Sequence, residues 1–264
     1  MPEFLARAVT WVANQGVGQF IDLGCGLPTA PNTHETAQAV VADARVAYVD
    51  NDPVAVSHLR AVVAKGSPGV TVADGDVGDP GAILGAVSEG LDLAAPTCLI
   101  MGFLLHFYHP DTARSLVARY AAGLVPGSYV VISMVRGDGE VADRWFSTYS
   151  SGVAQGHNFS VAEFGTLFAG MELVPPGLGE ARQWHPGWPQ LPTIPARDGQ
   201  AICGVARVIE RPARLSDVPA TPRHAATPRR AATGMPCGCG VIDVRPRRGG
   251  WNVVPPRHDG ACGG

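Results

Sequence analysis

The sequence predicts an α/β protein built on a doubly wound, mostly parallel sheet. Strand patterns and helix patterns alternate from residue 18 to residue 134, which is typical of parallel strands joined by right-handed helical crossovers. The run 98–105 is apolar without a break, as expected of a central strand that helices cover on both faces. A glycine turn and two acidic loops follow predicted strands, at the edge where such sheets bind ligands.

Local patterns predict each element in turn. Apolar residues recur at helical spacing over residues 3–14, so an amphipathic helix precedes the first strand. Asp52-Pro53 and Asp79-Pro80 begin helices, because aspartate caps the first turn and proline is tolerated there. Asn32 or Thr33 can cap another helix. The predicted helices are 3–14, 33–41, one from Pro53, 80–87, 111–124 and 161–168. The predicted strands are 18–23, 44–49, 70–73, 98–105, 129–134, and a hairpin-type edge of 171–174 and 200–208.

The composition changes at about residue 211. Residues 1–211 carry 12 basic and 20 acidic residues, whereas residues 212–264 carry eight arginines and three aspartates. The second segment is dense in Pro, Gly, Arg and Ala. Such a segment cannot bury enough apolar surface to offset the entropy of ordering. We therefore expect one folded domain at 1–211 and a disordered tail at 212–264.

Charge and cysteine usage exclude several classes of protein. The net charge of −3 argues against a general nucleic-acid binder, which needs a concentrated basic surface. The sequence has no secretory signal pattern and no apolar run as long as a membrane span, so we expect a cytoplasmic protein without membrane contact. Cys237-Gly238-Cys239 lacks the spacing of a zinc site, so we expect no metal. Lys65 is the only lysine, and this arginine-rich composition indicates a high-GC bacterial source.

The motif Asp22-Leu23-Gly24-Cys25-Gly26 directly follows the first predicted strand. Gly24 and Gly26 permit positive φ and leave room for a ligand beside the backbone. Asp22 can orient the loop or meet an ammonium group of the ligand. Thr29 replaces the third glycine of the dinucleotide pattern, which favours a ligand without phosphate here. The alternative is a tight strand–helix turn with no ligand.

Two acidic groups follow the next strands. Asp50 lies 24 residues after Gly26, close to the spacing at which a carboxylate reaches the ribose hydroxyls of a nucleotide. Asp76 lies in Asp74-Gly75-Asp76-Val77, where a carboxylate can accept from an adenine amine. The alternatives are a turn with an N-cap at residues 50–52, for which Asp52 is better placed, and a solvated acidic turn at Asp76.

The residues that carry a family resemblance are Asp22-x-Gly24-x-Gly26, Tyr48-Val49-Asp50-Asn51-Asp52-Pro53, Asp74-Gly75-Asp76-Val77 and the run Met101 to His106. They resemble class I S-adenosylmethionine (SAM)-dependent methyltransferases. The sequence is more specifically similar to the actinobacterial S-adenosyl methyltransferase family, formerly a domain of unknown function. The further motifs for that family are Gln19 to Gly24, Gly26-Leu27-Pro28-Thr29, Asn32-x-His34-Glu35, Pro126-Gly127-Ser128-Tyr129 and Gln183-Trp184-His185-Pro186. The match runs from about Phe4 to Val208.

The resemblance implies a Rossmann-like seven-stranded sheet, SAM as cofactor, and methyl transfer to an unidentified small molecule. It implies that Gly24 and Gly26 line the methionine part of SAM and that Asp50 holds the ribose hydroxyls. The other residues that it places at the cofactor are Asn51 beside the adenine, Asp76 and Val77 facing the adenine amine and ring, His34 at the carboxylate, and Phe103 flanking the cofactor.

His106 is the predicted catalytic residue. It follows the fourth predicted main strand, and it could act as a base if the acceptor is a hydroxyl. The alternative is a histidine packed at the strand end. Residues 136–155 contain Trp145, Phe146 and Tyr149. These aromatic residues line an acceptor pocket or form one helix face on the core.

Two other functions remain open at this point. A nicotinamide-dependent oxidoreductase would also use the glycine turn and Asp50, but the missing third glycine and the Asp76 motif argue against it. A SAM-binding protein without catalytic activity is the second. Family members carry an N-terminal segment that covers the cofactor, whereas this sequence begins close to its first strand. We expect closure of the site to depend on such a segment. The sequence does not predict an oligomeric state.

Overall fold

The structure is a computed structural model, and it describes residues 2–135, 156–187, 201–209, 244–247 and 250–253. The chain divides into two units, 1–221 and 222–264, which are described separately. The aromatic residues predicted for an acceptor pocket at 145, 146 and 149 lie outside the described residues.

The first unit alternates strands and helices up to residue 135. Its strands are β1 (Gln19–Leu23), β2 (Arg45–Asp50), β3 (Val70–Asp74), β4 (Cys98–Gly102), β5 (Tyr129–Val135), β6 (Glu172–Leu173), β7 (Gly179–Glu180) and β8 (Ala201–Arg207). Its helices are α1 (Pro2–Asn14), α2 (Thr33–Gln38), α3 (Pro53–His58), α4 (Pro80–Val87), α5 (Pro110–Ala122) and α6 (Val161–Thr166). A π-helical segment, Leu59–Ala64, follows α3, and a 3₁₀ turn, Leu105–Phe107, follows β4.

These strands form one sheet in the order β3-β2-β1-β4-β5-β8-β6, and β7 also pairs with β8. The pairs among β1 to β5 are parallel, and β8 is antiparallel to β5, β6 and β7. The predicted doubly wound, mostly parallel sheet and its antiparallel edge are therefore confirmed. The sheet contains one strand more than the seven expected, because β7 has only two residues and leaves no periodic pattern in the sequence.

Several predicted elements end earlier than their sequence patterns, including the helices predicted for 111–124 and 161–168, which end at Ala122 and Thr166. Two further cases have a visible local cause or continuation. The apolar run 98–105 stops being a strand at Gly102, because Phe103 adopts φ 53°, a left-handed conformation that bulky residues rarely take. The helix predicted for 33–41 ends at Gln38. The amides of Val40 and Val41 both donate to the carbonyl of Ala37 at 3.0 and 2.9 Å, so hydrogen-bonded turns continue beyond it.

Helices cover both faces of the sheet. Alternate residues of one strand enter different apolar layers: Phe20 packs with residues of α1 and α2, whereas Ile21 packs with residues of α4 and α5. This division follows from the period of two along a strand. Since both faces are covered, β1 is buried along its full length and β4 is buried from Cys98 to Met101, as expected of central parallel strands.

The second unit is described only as an antiparallel pair, β9 (Val244–Arg247) and β10 (Gly250–Val253). Disorder of the rest of 212–264 stays a prediction. Within the described ranges, no helix has the length and apolar character needed to cross a bilayer.

We expect Ile100→Ala to lower the free energy of unfolding by about 2–5 kcal/mol, because it leaves a cavity in the central strand. Ile100 is fully buried in β4. Denaturant unfolding measures the change. The control is Val54→Ala at an exposed position of α3, for which we expect a change within about 0.5 kcal/mol. Equal effects of the two substitutions would contradict the assignment of β4 to the core.

Candidate functional site

The candidate site lies at the carboxyl ends of β1, β2 and β4. The strands are in parallel register, with Leu23 beside both Val49 and Met101. The glycine turn, Asp50 and the end of β4 therefore meet at one edge of the sheet. Ligands of open α/β sheets bind at this edge.

The glycine turn is held against β2 by backbone hydrogen bonds. The amides of Gly24 and Cys25 donate to the carbonyl of Val49 at 2.8 and 3.3 Å. Gly24 and Gly26 have φ of 61° and 64°. A Cβ at Gly24 would lie 2.7 Å from Leu104 Cδ1, whereas a Cβ at Gly26 would meet nothing within 4 Å. Gly24 is thus required for conformation and packing, and Gly26 leaves open space beside the backbone.

The Asp50 carboxylate joins the end of β2 to the glycine turn. Its Oδ2 accepts from the Gly26 amide at 2.8 Å, and its Oδ1 accepts from the Asp52 amide at 2.9 Å. Asp52 itself accepts from the Val54 amide at 2.8 Å and caps α3. The prediction that Asp52 forms the cap is therefore confirmed, and the Asp50 carboxylate retains lone pairs for a ligand.

Asp22 is a buried carboxylate in β1. It is 9% exposed and accepts from the Thr33 hydroxyl at 2.6 Å. Burial raises the pKa of Asp22 to about 6; the Thr33 hydrogen bond opposes this rise, and the charge of Asp50 adds to it. The ionised form of Asp22 is consequently disfavoured unless a cation approaches it.

His34 is a buried residue of α2. Its Nδ1 is 2.9 Å from the Tyr48 hydroxyl, which also accepts from the His34 amide at 3.0 Å. Its Nε2 is 3.1 Å from the Ser67 hydroxyl, and burial lowers its pKa. With both ring nitrogens engaged in this way, His34 links α2 to β2 and to residue 67. Contact between His34 and a cofactor carboxylate stays a prediction, and these contacts do not favour it.

A cleft of about 90 Å³ opens beside the glycine turn. It is lined by apolar residues of α1, by the glycine turn and by polar groups of β1, β2 and α2. The lining includes Leu5, Val9, Asp22, Gly24, Cys25, Thr33, Tyr48, Leu59 and Gly102. In the described part of the chain, no lysine, arginine or histidine lines this cleft. The Cys25 thiol is 3.5 Å from the Val49 carbonyl, and burial raises its pKa, so it is an unreactive thiol.

The structure places the predicted adenine-binding residues at the end of β3. Asp76 Oδ1 accepts from the Gly78 amide at 2.8 Å. The Val77 side chain belongs to the core, and its carbonyl accepts from the Tyr120 hydroxyl at 2.9 Å. Any contact of Val77 with a ligand would therefore use its backbone amide. Asn51 is exposed beyond β2.

Phe103 and His106 lie together after β4. The Phe103 amide donates to the Ser133 carbonyl at 2.8 Å. The centroid of the Phe103 ring is 6.2 Å from the centroid of the His106 ring. The His106 ring is 4.3 Å from Phe107 and only 2% of the residue is exposed. Burial lowers the pKa of His106 to about 4, so its imidazole is neutral at pH 7. This packing favours the alternative of a strand-end histidine, and the catalytic role stays a prediction.

The sequence did not reveal the role of several residues of the site. Its patterns predict Thr33 only as a helix cap, Tyr48 only as part of a strand motif, and Leu5 only as part of an amphipathic helix. Their contacts with Asp22, His34 and Gly102 join segments between 11 and 97 positions apart. Of these residues, only Tyr48 carried a signal in the sequence. A buried tyrosine generally needs a hydrogen-bond partner for its hydroxyl, so a tyrosine in a predicted buried strand indicates a polar contact.

The chain is similar to known proteins in sequence and in fold. A family model described as S-adenosyl methyltransferase matches residues 2–209. A candidate methyltransferase from Thermobifida fusca YX has 34% sequence identity and a TM-score of 0.70, over 78% of this chain and 79% of that one. A DUF574 family protein from Streptomyces avermitilis MA-4680 has 33% identity and a TM-score of 0.69, over 78% of this chain and 81% of that one. No curated protein matches the chain.

We expect Asp22→Asn to stabilise the protein more at pH 7 than at pH 4. The native pKa of about 6 lies above the ordinary aspartate value of 3.8, so the native state retains a proton that the unfolded state has lost. Burial of Asp22 therefore lowers the free energy of unfolding as pH rises through this window. Asparagine can still accept from Thr33 but never ionises. The stability difference between variant and wild type should rise by about 2–3 kcal/mol from pH 4 to pH 7.

Denaturant unfolding at both pH values measures this difference. Asp43→Asn, at an exposed position, controls for the loss of one carboxylate. A stability difference that is the same at pH 4 and pH 7 would show that Asp22 is not a perturbed carboxyl.

Proposed function

The chain belongs to the S-adenosyl methyltransferase family, and we propose that it transfers the methyl group of SAM to a small-molecule acceptor. As the sequence predicted, it is a SAM-dependent methyltransferase, and SAM is its cofactor. The acceptor and the roles of individual residues belong to the proposal. The observation that carries it is the pair of buried carboxylates, Asp22 and Asp50, at the glycine turn.

The charge of the site supports a cationic ligand. Asp22, which lines the cleft, and Asp50, which lies next to the glycine turn, are 9% and 8% exposed. No described residue that lines the cleft carries a positive charge. A buried carboxylate is costly without a compensating charge. SAM carries an ammonium and a sulfonium group, whereas the pyrophosphate of a nicotinamide dinucleotide is anionic. This contrast favours SAM over the oxidoreductase alternative.

We propose these roles for the residues around the cofactor. Gly24 and Gly26 let the methionine part approach the backbone, and Asp22 pairs with its ammonium group. Asp50 accepts from the ribose hydroxyls while it continues to accept from the Gly26 amide, since each carboxylate oxygen has two lone pairs. The remaining proposed contacts are those of Asn51, Asp76 and the Val77 backbone with the adenine, and of Phe103 beside the cofactor.

The residues of the chain contribute to the reaction mainly by aligning the methyl donor with the acceptor and by providing an apolar surface that excludes water. SAM supplies a methyl group on a positively charged sulfur, and this charge disappears on transfer. Leu5, Val9 and Leu59 line the cleft with apolar atoms, and a low-dielectric surface favours loss of charge. Alignment of donor and acceptor provides most of the acceleration in such a displacement. His106 is neutral at pH 7 and would accept a proton only from an acidic or activated acceptor.

Further proposals concern the setting of the reaction. We propose that residues 1–211 form the catalytic domain, that the protein acts in the cytoplasm of a high-GC actinobacterium, and that it does not act on nucleic acids. The excess of acidic residues in 1–211 supports the last point, since phosphate neutralisation needs basic side chains.

We expect Asp50→Ala to weaken binding of S-adenosylhomocysteine (SAH) by roughly 10- to 100-fold, because charged hydrogen bonds contribute about 1.5–3 kcal/mol. Calorimetric titration of the full chain measures the affinity. Asp52→Ala is the matched control: it removes a neighbouring carboxylate that only caps α3, so SAH affinity should remain within about twofold of the wild type. Equal losses in the two variants would contradict the ribose assignment.

A turnover assay on the same protein distinguishes a methyltransferase from a SAM-binding protein without catalytic activity. Incubation with SAM and a panel of small-molecule acceptors should release SAH with at least one of them. Tight binding of SAH with no turnover across the panel would favour the alternative, a SAM-binding protein without catalytic activity.

A further inference from the structure

Helix α1 forms one wall of the cleft. Leu5, Ala6 and Val9 face the glycine turn and Gly102 across it. A Cβ at Gly102 would lie 3.3 Å from Leu5 Cδ1, so Leu5 packs directly over the end of β4. The position of α1 therefore sets the width of the cleft where β1 and β4 end.

Two side chains of α1, Arg7 and Phe4, contact a turn that is distant in the sequence. Arg7 Nε donates to the Trp184 carbonyl at 2.9 Å, and Arg7 Nη2 donates to the Ala181 carbonyl at 2.6 Å. Phe4, one helical turn earlier, packs edge-on against the Trp184 ring at 5.4 Å. Arg7 is not among the residues that line the cleft, so these bonds act on the cleft only through the helix.

The turn that receives Arg7 is itself anchored to the sheet. The Ala181 amide donates to the Ala201 carbonyl at 2.8 Å, directly after the pairing of β7 with β8. The Trp184 indole is buried and donates to the Gly177 carbonyl at 3.0 Å. Arg7 thus connects the wall of the cleft to a turn that is hydrogen-bonded to the sheet edge.

We propose that Arg7 is a positioning residue for the methionine end of SAM. By holding α1 against the turn at 181–184, it keeps Leu5 and Val9 over the glycine turn. This inference rests on the proposed function. The adenine end of the site follows β2 and β3, which lie on the opposite side of β1 from β4 and β5. Helix α1 packs against α2, β4 and β5, so a shift of α1 should affect the methionine end first.

The chemistry of the link requires arginine. A guanidinium offers several donors in a fixed fork and can reach two carbonyls at once, whereas an ammonium on a flexible stem cannot reproduce this geometry. The helix does not depend on Arg7 for folding alone, because Phe4, Ala8 and Val12 are buried in the core. Arg7→Ala should therefore leave the domain folded and α1 less precisely placed.

Titration of the full chain with two ligands tests the proposal. SAH contains the amino acid part of the cofactor, whereas 5′-methylthioadenosine contains the adenosine and sulfur without it. We expect Arg7→Ala to weaken SAH binding by roughly 5- to 10-fold, as for loss of two charge-assisted hydrogen bonds acting indirectly. Binding of 5′-methylthioadenosine should stay within about twofold, and Arg7→Lys should lie between wild type and Arg7→Ala for SAH.

The control is Arg114→Ala, which removes an exposed arginine that pairs with Asp111 at 2.9 Å; both ligands should bind it as they bind wild type. Equal losses for both ligands, or no loss for either, would overturn the positioning role. Should Arg7→Ala fail to fold, the comparison of the two ligands with Arg7→Lys gives the same decision. Wild-type protein that binds neither ligand would contradict the proposed function itself, and with it this proposal.

Discussion

The site depends on one carboxylate, that of Asp50, which holds the glycine turn at the end of β2. Its two oxygens accept from the amides of Gly26 and Asp52, so this one carboxylate links the turn after β1 to the entry to α3. This arrangement exists because β1 and β2 are parallel neighbours in register, which brings their carboxyl ends together. Positive φ at Gly24 and Gly26 then lets the backbone curve around the carboxylate.

Burial of the Asp22 carboxylate at this point costs stability, and in the proposed function it provides specificity for a cationic ligand. Burial of Asp22 raises its pKa, and Asp50 adds to the effect, so the unliganded protein holds an electrostatic arrangement that a cation would relieve. The same low exposure strengthens the attraction between these carboxylates and a positively charged ligand. A stability cost at a binding site is expected when the site is built for a charge that the chain itself does not supply.

The two ends of the candidate cofactor site are built from different parts of the fold. In the proposed arrangement, the adenosine end uses residues that follow β2 and β3, and the parallel sheet sets the positions of these residues. The methionine end lies between the glycine turn and α1, and α1 is placed by Arg7 and Phe4 against the turn at 181–184. The antiparallel edge of the sheet therefore contributes to the site without lining it, which gives β7 and β8 a role beyond closing the core.

The sequence by itself determined the alternating α/β architecture, the glycine turn, the cap at Asp52 and the aspartates at strand ends. Each of these depends on local backbone preference or on a period of two along a strand. The two-residue β7 and the early end of β4 at Phe103 left no such pattern. Only the tertiary structure decided that His34 hydrogen-bonds with Tyr48 and Ser67 and that the Thr33 hydroxyl donates to Asp22. The same holds for Arg7, which donates to carbonyls 174 and 177 positions away. Such contacts depend on how distant segments pack, and a polar side chain in the sequence does not reveal which distant partner the fold will give it.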